Sequence, residues 1–259
     1  MDKRPLGRTG MDITPIGFGA VKIGRNEAVK YPVPYVLPDD DQVSALLNGV
    51  LDLGVNFIDT APAYGLSEQR IGRTISHRRT EFVLSTKVGE SFVDGRSTFD
   101  FSKRAIHLSI DQSRQRLGTQ VLDLVLIHSD GRDMHILEHT DAVTTLLDLR
   151  QGGTVRAVGL SGKTSEGLSA ALAWADVLMV DFSGSNRQHA QVLDLAKQAG
   201  VGILVKKGLG SGHLAAPEAI RFVLGHAAVS SLVVGTLNLD HVRQNVRAAE
   251  ALDGSDGSV

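Results

Sequence analysis

Short apolar runs alternate along the chain with longer segments whose apolar residues recur at helical spacing. Eight runs rich in branched aliphatic residues predict buried strands, at residues 16–18, 55–58, 82–85, 121–127, 155–160, 177–180, 202–205 and 232–234. Seven segments predict helices, at residues 39–54, 102–118, 141–153, 165–175, 186–200, 217–227 and 239–252. This alternation is typical of an α/β (β/α)8 TIM barrel, whose chemistry is carried at the carboxyl ends of the strands.

Length and composition fit one domain spanning residues 1–259. The 259 residues, 42% of them hydrophobic, are sufficient for the core of a single barrel. Residues 253–259 contain only Asp, Gly, Ser and Val, which predicts a disordered C-terminal tail. The formal net charge is −2 and the basic residues are scattered, which argues against nucleic acid as the main partner.

Several classes of site are disfavoured by what the sequence lacks. Without cysteine, disulfides, thiolate metal sites and thiol nucleophiles are excluded. No G-x-G-x-x-G motif is present, which argues against a Rossmann site. The N-terminus has no apolar core of a signal peptide and no run is long enough to span a membrane, so we expect a cytoplasmic protein. Seven histidines show no metal-ligand spacing and are expected at the surface, so no metal is expected: His77, His107, His135, His139, His189, His213 and His226.

Four reactive side chains lie at or just after the ends of predicted strands. Asp59, Lys87 and His128 each close an apolar run, and Tyr64 follows Asp59 in the next loop. A phenol needs a neighbouring cation to donate a proton at neutral pH. A lysine about 4 Å away favours the phenolate by roughly 4 kcal/mol at an effective dielectric near 20, which is about three pKa units. We therefore expect Lys87 to bring the pKa of Tyr64 near the working pH, and Asp59 to keep Lys87 charged.

This set resembles the catalytic tetrad of the aldo-keto reductase family. The order Asp59, Tyr64, Lys87, His128 is carried by "GVNFIDTAPAYGLSEQRIG", "EFVLSTKVG" and "VLDLVLIHSD". The similarity continues through residues 6–20, like the family's N-terminal β-hairpin and first strand, and through residues 157–163 and 233–245. The resemblance implies reduction of an aldehyde or ketone by NADPH, with Tyr64 as proton donor and His128 orienting the carbonyl oxygen.

The resemblance also implies where a nicotinamide cofactor binds. Ser161 and Gly162 after strand five and Met179 in strand six stand where the family contacts the nicotinamide amide, although Gly162 and Met179 replace the usual Asn and Gln. Lys206 replaces an aromatic residue that commonly stacks on the ring, and Lys207 follows it. The two lysines either bind the diphosphate through their charge or are exposed charges on the rim. Further contacts are expected from Gly19, Ala20, Asp59, Gly208, Leu209, Gly212 and Gly235.

The segment "VGTLNLDHVRQN" near the C-terminus is similar to the family's site for the adenosine phosphate. Thr236 and the helix start after Asn238 would receive the 2′-phosphate, and Asn245 would contact adenine. His241 stands where many relatives have Arg, so NADP(H) is expected to be preferred modestly and NAD(H) remains possible. Arg243 compensates if its side chain reaches the phosphate.

The loops on the active face carry further expectations. Prolines exclude regular structure from the insertion at residues 24–38, so Tyr31 and Tyr35 either line the substrate entrance or pack against the rim. The connection after strand seven is short, which predicts an open, broadly specific pocket. Ser129 and Asp130 are expected to form a loop, although Asp130 could alter the charge around His128.

The leading hypothesis is an NADPH-dependent carbonyl reductase that acts on a small molecule, expected to be a monomer. An aldose dehydrogenase working in the oxidative direction is the nearest alternative. A regulatory module that binds the cofactor with little turnover, like the channel-associated members of the family, is a second. A barrel aldolase with Lys207 or Lys87 as Schiff-base amine is a third.

Overall fold

The computed structural model describes residues 1–29 and 31–253. Asp253 is the last residue of the final helix, and the rest of the predicted tail, residues 254–259, lies outside the described residues. No helix in the described part of the chain has the length and apolarity needed to cross a membrane.

Eight parallel strands close into a barrel. In chain order, the strands are β1 (Arg4–Pro5), β2 (Asp12–Ile13), β3 (Ile16–Gly19), β4 (Phe57–Asp59), β5 (Val83–Val88), β6 (Glu90–Val93), β7 (Arg96–Phe99), β8 (Leu122–His128), β9 (Val155–Ser161), β10 (Val177–Asp181), β11 (Gly202–Lys206) and β12 (Val229–Val234). The barrel runs β3-β4-β5-β8-β9-β10-β11-β12 and closes between β12 and β3, while β1-β2 and β6-β7 form separate antiparallel pairs. The predicted eight-stranded barrel is therefore confirmed.

Helices connect the barrel strands on the outside. They are α1 (Asp40–Asp52), α2 (Ser67–Ile75), α3 (Lys103–Leu117), α4 (Asp133–His139), α5 (Ala142–Gln151), α6 (Ser165–Ala171), α7 (Ala190–Gln198), α8 (Ala216–Leu224) and α9 (Leu239–Asp253). All seven predicted helices are present, and α2 and α4 are additional. Local signals set their ends: Asp39 and Gln42 form a capping box at the start of α1, and Gly118 ends α3 in a left-handed conformation.

The barrel interior is closed at its amino-terminal end by the hairpin β1-β2. Leu6, Met11 and Ile13 from this hairpin are at most 4% exposed and pack with interior residues such as Phe57 and Leu204. Gly7 lies against the first residue of β11, so the hairpin covers the end where the strands begin. The opposite end, where the strands finish, is left for a site.

Several strands extend further than the apolar runs predicted. Lys87 lies inside β5 opposite Leu126, and His128 and Lys206 are the last paired residues of β8 and β11. Ladder hydrogen bonds depend on the backbone and not on side-chain polarity, so pairing continues through these polar residues. Their side chains are thereby fixed on rigid strand ends.

An additional hairpin, β6-β7, follows β5 on the active face. Its turn has Asp94 and Gly95 with φ of 49° and 74°, which is typical of a two-residue type I′ turn. The Asp-Gly pair is a hairpin signal in the sequence that the strand analysis missed. The insertion at residues 24–38 is irregular in its described part, as its prolines predict.

Candidate active site

Asp59 and Lys87 form a buried ion pair at the strand ends. Nζ of Lys87 donates to both carboxylate oxygens of Asp59 and to the carbonyl of Thr60, each at 2.8 Å. The two side chains are only 1% and 5% exposed. Burial alone would lower the pKa of Lys87, but the charge of Asp59 outweighs it and the pKa is raised above the usual 10.5. Lys87 is therefore a fixed cation.

Tyr64 lies directly beside this cation. It ends a short 3₁₀ turn after β4, and Nζ of Lys87 is 4.7 Å from the centre of its ring. Burial raises the pKa of Tyr64 above 10.0; Lys87 acts in the lowering direction, as predicted, while Asp59 and Glu90 raise it. The expectation that Lys87 brings this pKa near the working pH is wrong, because the loss of hydration outweighs the cation. Tyr64 is thus a neutral phenol.

His128 completes the predicted four residues and contacts a carboxylate that sequence reasoning missed. Its ring meets the Tyr64 ring edge-on, with 6.2 Å between centres. Oε2 of Glu90, the first residue of β6, lies 2.7 Å from Nδ1 of His128. The oxygen lies off the direction of a ring N–H, so the contact is close but is not a linear hydrogen bond.

Arg25 links the insertion to the rest of the site. Its guanidinium stacks on Phe92 of the hairpin at 3.4 Å and donates to the carbonyl of Ala63 at 3.1 Å. The hydroxyl of Tyr35 donates to the carbonyl of Arg25. The residues flanking Tyr64, the insertion and the hairpin are therefore tied together at one rim.

A cavity of about 340 Å³ opens above these side chains. It is lined by four groups that the sequence predicted for catalysis or entrance, namely Asp59, Tyr64, His128 and Tyr31. Of the predicted cofactor residues it is also lined by Gly19, Ser161, Met179, Lys206, Lys207 and Gly235. Lining residues that were not predicted are Val21, Arg25, Ala28, Val29, Glu90, Lys163, Ser211 and Val233.

Of the two tyrosines in the insertion, one lines the cavity and the other packs against the rim. Tyr31 lines the cavity, and Nζ of Lys22 lies 4.2 Å from the centre of its ring. The Tyr35 ring packs edge-on against Tyr31, with 5.8 Å between centres, and is not part of the cavity wall. The insertion and the hairpin both contribute residues to the cavity wall, and the open, broadly specific pocket stays a prediction.

Lys206 and Lys207 differ in environment. Nζ of Lys206 is 2.9 Å from Oγ of Ser161 and 3.3 Å from the carbonyl of Gly162, while Lys207 pairs with Asp181 at 2.5 Å. The Lys206 side chain is 20% exposed and that of Lys207 is 53% exposed. Burial lowers the pKa of Lys206 to about 8, with Asp181 opposing this shift. Lys206 thus faces the site, and Lys207 fits the alternative of a rim charge held by Asp181.

The residues around this part of the cavity fit a nicotinamide cofactor by the chemistry of their donors. Ser161 supplies a hydroxyl and Lys206 an amine for a carboxamide or another polar group. The backbone after β11 is left-handed at Lys207, Gly210, Ser211 and Gly212, and the N–H groups of Gly210 and Gly212 donate to the carbonyls of Lys207 and Leu209 within the loop. Gly208 and Leu209 lie in the same loop, although they do not line the cavity.

The proposed phosphate site lies at the start of α9. The Thr236 hydroxyl is 3.3 Å from Nδ1 of His241 and accepts from the backbone N–H of Asn238 at 3.1 Å. Arg243 pairs with Asp240 in the first turn of α9. Its guanidinium is thus held by that carboxylate instead of compensating for His241. Asn245 is 5% exposed. Thr236, His241 and Asn245 lie outside the wall of the central cavity. The same is true of Ala20, Gly162 and Gly212.

Two further expectations concern other polar residues. His189 is not at the surface: it is 2% exposed, and its Nδ1 is 2.9 Å from Oγ of Ser165. Its burial follows from its position at the start of α7, which packs on the barrel. Asp130 pairs with Arg132 and forms a loop as predicted. Within residues 1–29 and 31–253, no three His, Asp or Glu side chains come together as a metal site.

Glu90 and Asp181 are the functional candidates that the sequence analysis missed. The sequence contains a signal for Glu90, because this residue precedes the Asp-Gly turn of a hairpin next to Lys87. It also contains one for Asp181, since this residue closes the apolar run of β10 opposite Lys206 in the neighbouring strand. For Arg25 we find no local sequence signal.

Comparisons with known proteins agree with this geometry. Residues 15–218 match the family model described as Aldo/keto reductase family. A pyridoxal 4-dehydrogenase of Microbacterium luteolum is 28% identical, with 95% of this chain and 92% of that protein covered. An L-galactose dehydrogenase of Arabidopsis thaliana is 27% identical, with coverage of 98% and 89%.

Solved structures share the fold over nearly the full chain. A Pseudomonas aeruginosa protein assigned to the aldo-keto reductases superimposes with a TM-score of 0.89 and 42% identity, covering 96% of this chain and 95% of that one. The holo form of an aldo-keto reductase from Bacillus halodurans gives a TM-score of 0.84 at 26% identity, with coverage of 96% and 91%.

Proposed function

The chain belongs to the aldo/keto reductase family and is an oxidoreductase, and on that premise we propose that it interconverts aldehydes or ketones and alcohols with NADP(H), Tyr64 being the proton donor. The observation that carries the proposal is the Asp59–Lys87 ion pair beside a neutral Tyr64 at the cavity wall. Proteins of this family use nicotinamide cofactors, and the substrate is a small molecule.

Tyr64 and His128 act on the oxygen of the substrate. Hydride addition to a carbonyl leaves negative charge on oxygen, which must be stabilised and protonated. The raised pKa of Tyr64 keeps its hydroxyl protonated and able to donate. His128, whose ring meets Tyr64 edge-on, orients the same oxygen.

Lys87 and Asp59 supply charge that does not take part in proton transfer. The cation of Lys87 stabilises negative charge as it develops on Tyr64 during donation, because the two groups lie together in a dry environment. Asp59 holds the ammonium in place through two hydrogen bonds. A cation held this firmly needs no reorganisation during the reaction.

The cofactor supplies the hydride when it is bound. Ser161 and Lys206 would hold its nicotinamide end, the loop from Lys207 to Gly212 its diphosphate, and Thr236 and His241 its adenosine phosphate. Lys206 and Ser161 at the cavity wall support this assignment, since both offer donors for a polar ligand.

Oxidation of an aldose or a related alcohol is the second candidate. It is favoured by the names of relatives, which include a D-threo-aldose 1-dehydrogenase from a Pseudomonas species that is 29% identical over 81% of this chain. Both directions use the same residues, so the two candidates differ in substrate and not in machinery. A screen of aldehydes against sugars with both cofactors decides between them.

A Schiff-base aldolase with Lys87 as its amine is less consistent with the site. Lys87 is held by three hydrogen bonds and carries a raised pKa, which is the opposite of a nucleophilic amine. Consumption of NADPH with simple aldehydes, followed by absorbance, distinguishes turnover from binding alone. Borohydride trapping of an adduct would reveal a Schiff base.

Replacement of Tyr64 tests the proposal. Tyr64→Phe should lower single-turnover reduction by about 10²- to 10⁴-fold, since general acid catalysis is lost, while the dissociation constant for NADPH stays close to the wild-type value. Tyr35→Phe removes a phenol outside the cavity wall and is the matched control. A Tyr64→Phe enzyme that keeps more than about a tenth of the wild-type rate would exclude Tyr64 as the acid.

A further inference from the structure

Lys206 ends β11 with its amine at the wall of the central cavity. The residue pairs with Asp181 of β10, and its side chain is 20% exposed. Nζ donates to Oγ of Ser161 at 2.9 Å and to the carbonyl of Gly162 at 3.3 Å. Two uncharged acceptors, at and just after the end of β9, therefore hold the amine in place beside the cavity.

The counter-charge of Lys206 is distant and shared. Oδ1 of Asp181 lies 3.8 Å from Nζ of Lys206, while Oδ2 pairs with Lys207 at 2.5 Å. Lys87, by contrast, has both oxygens of Asp59 at 2.8 Å. A neutral amine has two N–H groups and one lone pair. Lys206 can therefore lose a proton and still donate to its two acceptors, with the lone pair left for a ligand in the cavity.

The surroundings of Lys206 stabilise its neutral form. Burial lowers its pKa to about 8; Asp181 opposes this shift and the neighbouring lysines add to it. At pH 7 about a tenth of these amines are neutral, against about three in ten thousand for a lysine with the usual pKa of 10.5. The charged and titratable groups that act on this amine come from several strands and loops: Asp181, Lys207, Lys87, Lys163, His128 and His189.

We infer that Lys206 is a second reactive group of the cavity, one that condenses with a small aldehyde in the cofactor-free protein and holds it as a reversible imine. Three observations carry the inference: the amine lines the cavity, its acceptors are uncharged, and its counter-charge is shared. A desolvated lysine beside another cation is a nucleophile of this kind. The inference goes beyond the proposed function, because it requires neither hydride transfer nor a proton from Tyr64.

The condensation balances without an oxidant or a reductant. The lone pair of Nζ forms a bond to the aldehyde carbon, and the electrons of the carbonyl π bond move to oxygen. A proton passes from nitrogen to that oxygen, which gives a carbinolamine. The C–O bond then breaks, the oxygen leaves as water, and nitrogen and carbon are joined by a double bond. The hydroxyl of Ser161, 2.9 Å from Nζ, is placed to pass protons between the two atoms. Water reverses every step.

The cofactor and the aldehyde should exclude each other at this amine. In the proposed function Lys206 and Ser161 hold the nicotinamide end, so a bound cofactor occupies the same donors. NADP⁺ is the suitable competitor, because it carries no hydride with which to reduce the aldehyde. At about ten times its dissociation constant it should lower imine formation about tenfold, as occupancy of one shared site requires.

Borohydride trapping with propanal tests the inference on the cofactor-free protein at pH 7. Borohydride adds a hydride to the imine carbon and water supplies a proton to nitrogen, so the aldehyde becomes a propyl group that stays on the lysine. We expect mass spectrometry of the intact protein to show one propyl group and peptide mapping to place it on Lys206. Lys22 is the internal comparison, since burial lowers its pKa too but its side chain is not part of the cavity wall.

Three variants separate the reactive amine from its surroundings. Lys206→Met should reduce trapping to the background of surface lysines. Lys163→Met removes another amine of the cavity wall and is the matched control, with trapping close to the wild-type level. Asp181→Asn removes the shared counter-charge and lowers the pKa of Lys206 further, so trapping at pH 7 should increase several-fold.

A propyl group that is absent from Lys206, or no more abundant there than on Lys22, would overturn the inference. So would equal trapping in Lys206→Met and the wild type, or a decrease in Asp181→Asn. If a variant does not fold, the peptide map of the wild type decides. Failure of the proposed function is a separate result, since turnover retained in Tyr64→Phe leaves trapping unaffected. Trapping on Lys206 that persists with NADP⁺ supports the imine and contradicts only the placement of the cofactor.

Discussion

At the scale of single residues, the site combines two lysines whose environments act in opposite directions. Lys87 has a carboxylate at 2.8 Å and a raised pKa, whereas the amine of Lys206 meets a hydroxyl and a carbonyl and its pKa falls to about 8. A buried charge is tolerated where a full counter-charge accompanies it. The carboxylate of Asp181 lies 3.8 Å from the Lys206 amine and is shared with Lys207, so it compensates the burial of a charged Lys206 only in part.

Lys206→Met should remove a pH dependence of stability. Lys206 has a pKa of about 8 in the folded protein against the usual 10.5, so between these pH values the unfolded chain binds the additional proton. The free energy of unfolding of the wild type should rise with pH across this window, by up to about 3 kcal/mol relative to Lys206→Met. Urea unfolding across the window measures the difference, and half-exposed Lys207→Met is the matched control.

An equal pH slope for wild type and Lys206→Met would show that Lys206 keeps its proton in the fold. A slope of opposite sign would mean that the folded environment favours the ammonium, in disagreement with its burial.

His241→Arg should sharpen the choice of cofactor. An arginine carries a permanent charge and binds a phosphate through two parallel hydrogen bonds, which a histidine cannot do, so the variant should prefer NADPH over NADH more strongly than the wild type. One charge-assisted contact contributes about 1.5–3 kcal/mol, or roughly ten- to a hundredfold in affinity. Near pH 8 the wild type should prefer NADPH over NADH by less than this factor, and the variant should prefer it by the full factor.

Dissociation constants of the wild type and the variant for NADPH and NADH measure this effect. Arg243→Gln should change them little, because Asp240 already holds that guanidinium. An unchanged preference in His241→Arg, or tighter binding of NADH than of NADPH by the wild type, would contradict contact between His241 and the 2′-phosphate.

At the scale of elements, the hairpin β6-β7 places Glu90 beside His128. It is antiparallel, stands apart from the barrel sheet and is linked to the insertion by the stacking of Arg25 on Phe92. Its residues contribute little to the main core, since β7 is exposed throughout. Loosening this element should therefore affect the site more than the stability of the barrel.

Gly95→Val tests that separation. Gly95 has a φ of 74°, where a β-branched residue is strained, and a Cβ there would meet no atom closer than 3.7 Å. Hydrogen exchange of residues 90–99 should accelerate and kcat/KM should fall several-fold, while thermal melting of the barrel changes little. Asp94→Asn keeps a residue that tolerates the left-handed conformation and should resemble the wild type. Unchanged exchange and turnover in Gly95→Val would mean that the hairpin does not depend on its turn.

At the scale of the whole molecule, stability and chemistry lie at opposite ends of the barrel. The β1-β2 hairpin packs Leu6, Met11 and Ile13 into the end where the strands begin. The cavity is lined instead by residues at or after the ends where the strands finish. This division is general for the fold. That residues 1–259 form one domain stays a prediction.

Leu6→Ala should lower the free energy of unfolding by about 2–5 kcal/mol, because a fully buried leucine leaves a cavity. The kcat/KM should stay near the wild-type value at temperatures where the protein is folded. Denaturant unfolding and steady-state kinetics measure the two effects. Leu108→Ala, at a side chain that is 57% exposed on α3, should change neither. A loss of activity that matches the loss of stability would show that the two ends are coupled.

The sequence by itself determined the barrel and the gathering of Asp59, Tyr64, Lys87 and His128. Hydrophobic periodicity identifies alternating strands and helices, and parallel strands that follow one another necessarily finish at the same rim. Residues that close those runs are therefore neighbours before any coordinate is known. Family resemblance added their expected roles, and the family itself is confirmed.

Only the tertiary structure decided how these residues are protonated and which further ones join them. The pKa of Tyr64 depends on how completely the folded chain buries its side chain. Burial raises this pKa more than Lys87, the single cation considered from the sequence, lowers it. The contact of Glu90 with His128 depends on how a hairpin folds back over the next strand, which no local pattern encodes. Strand ends follow from the chain's own periodicity, whereas hydration and contacts across loops arise only once distant segments have packed.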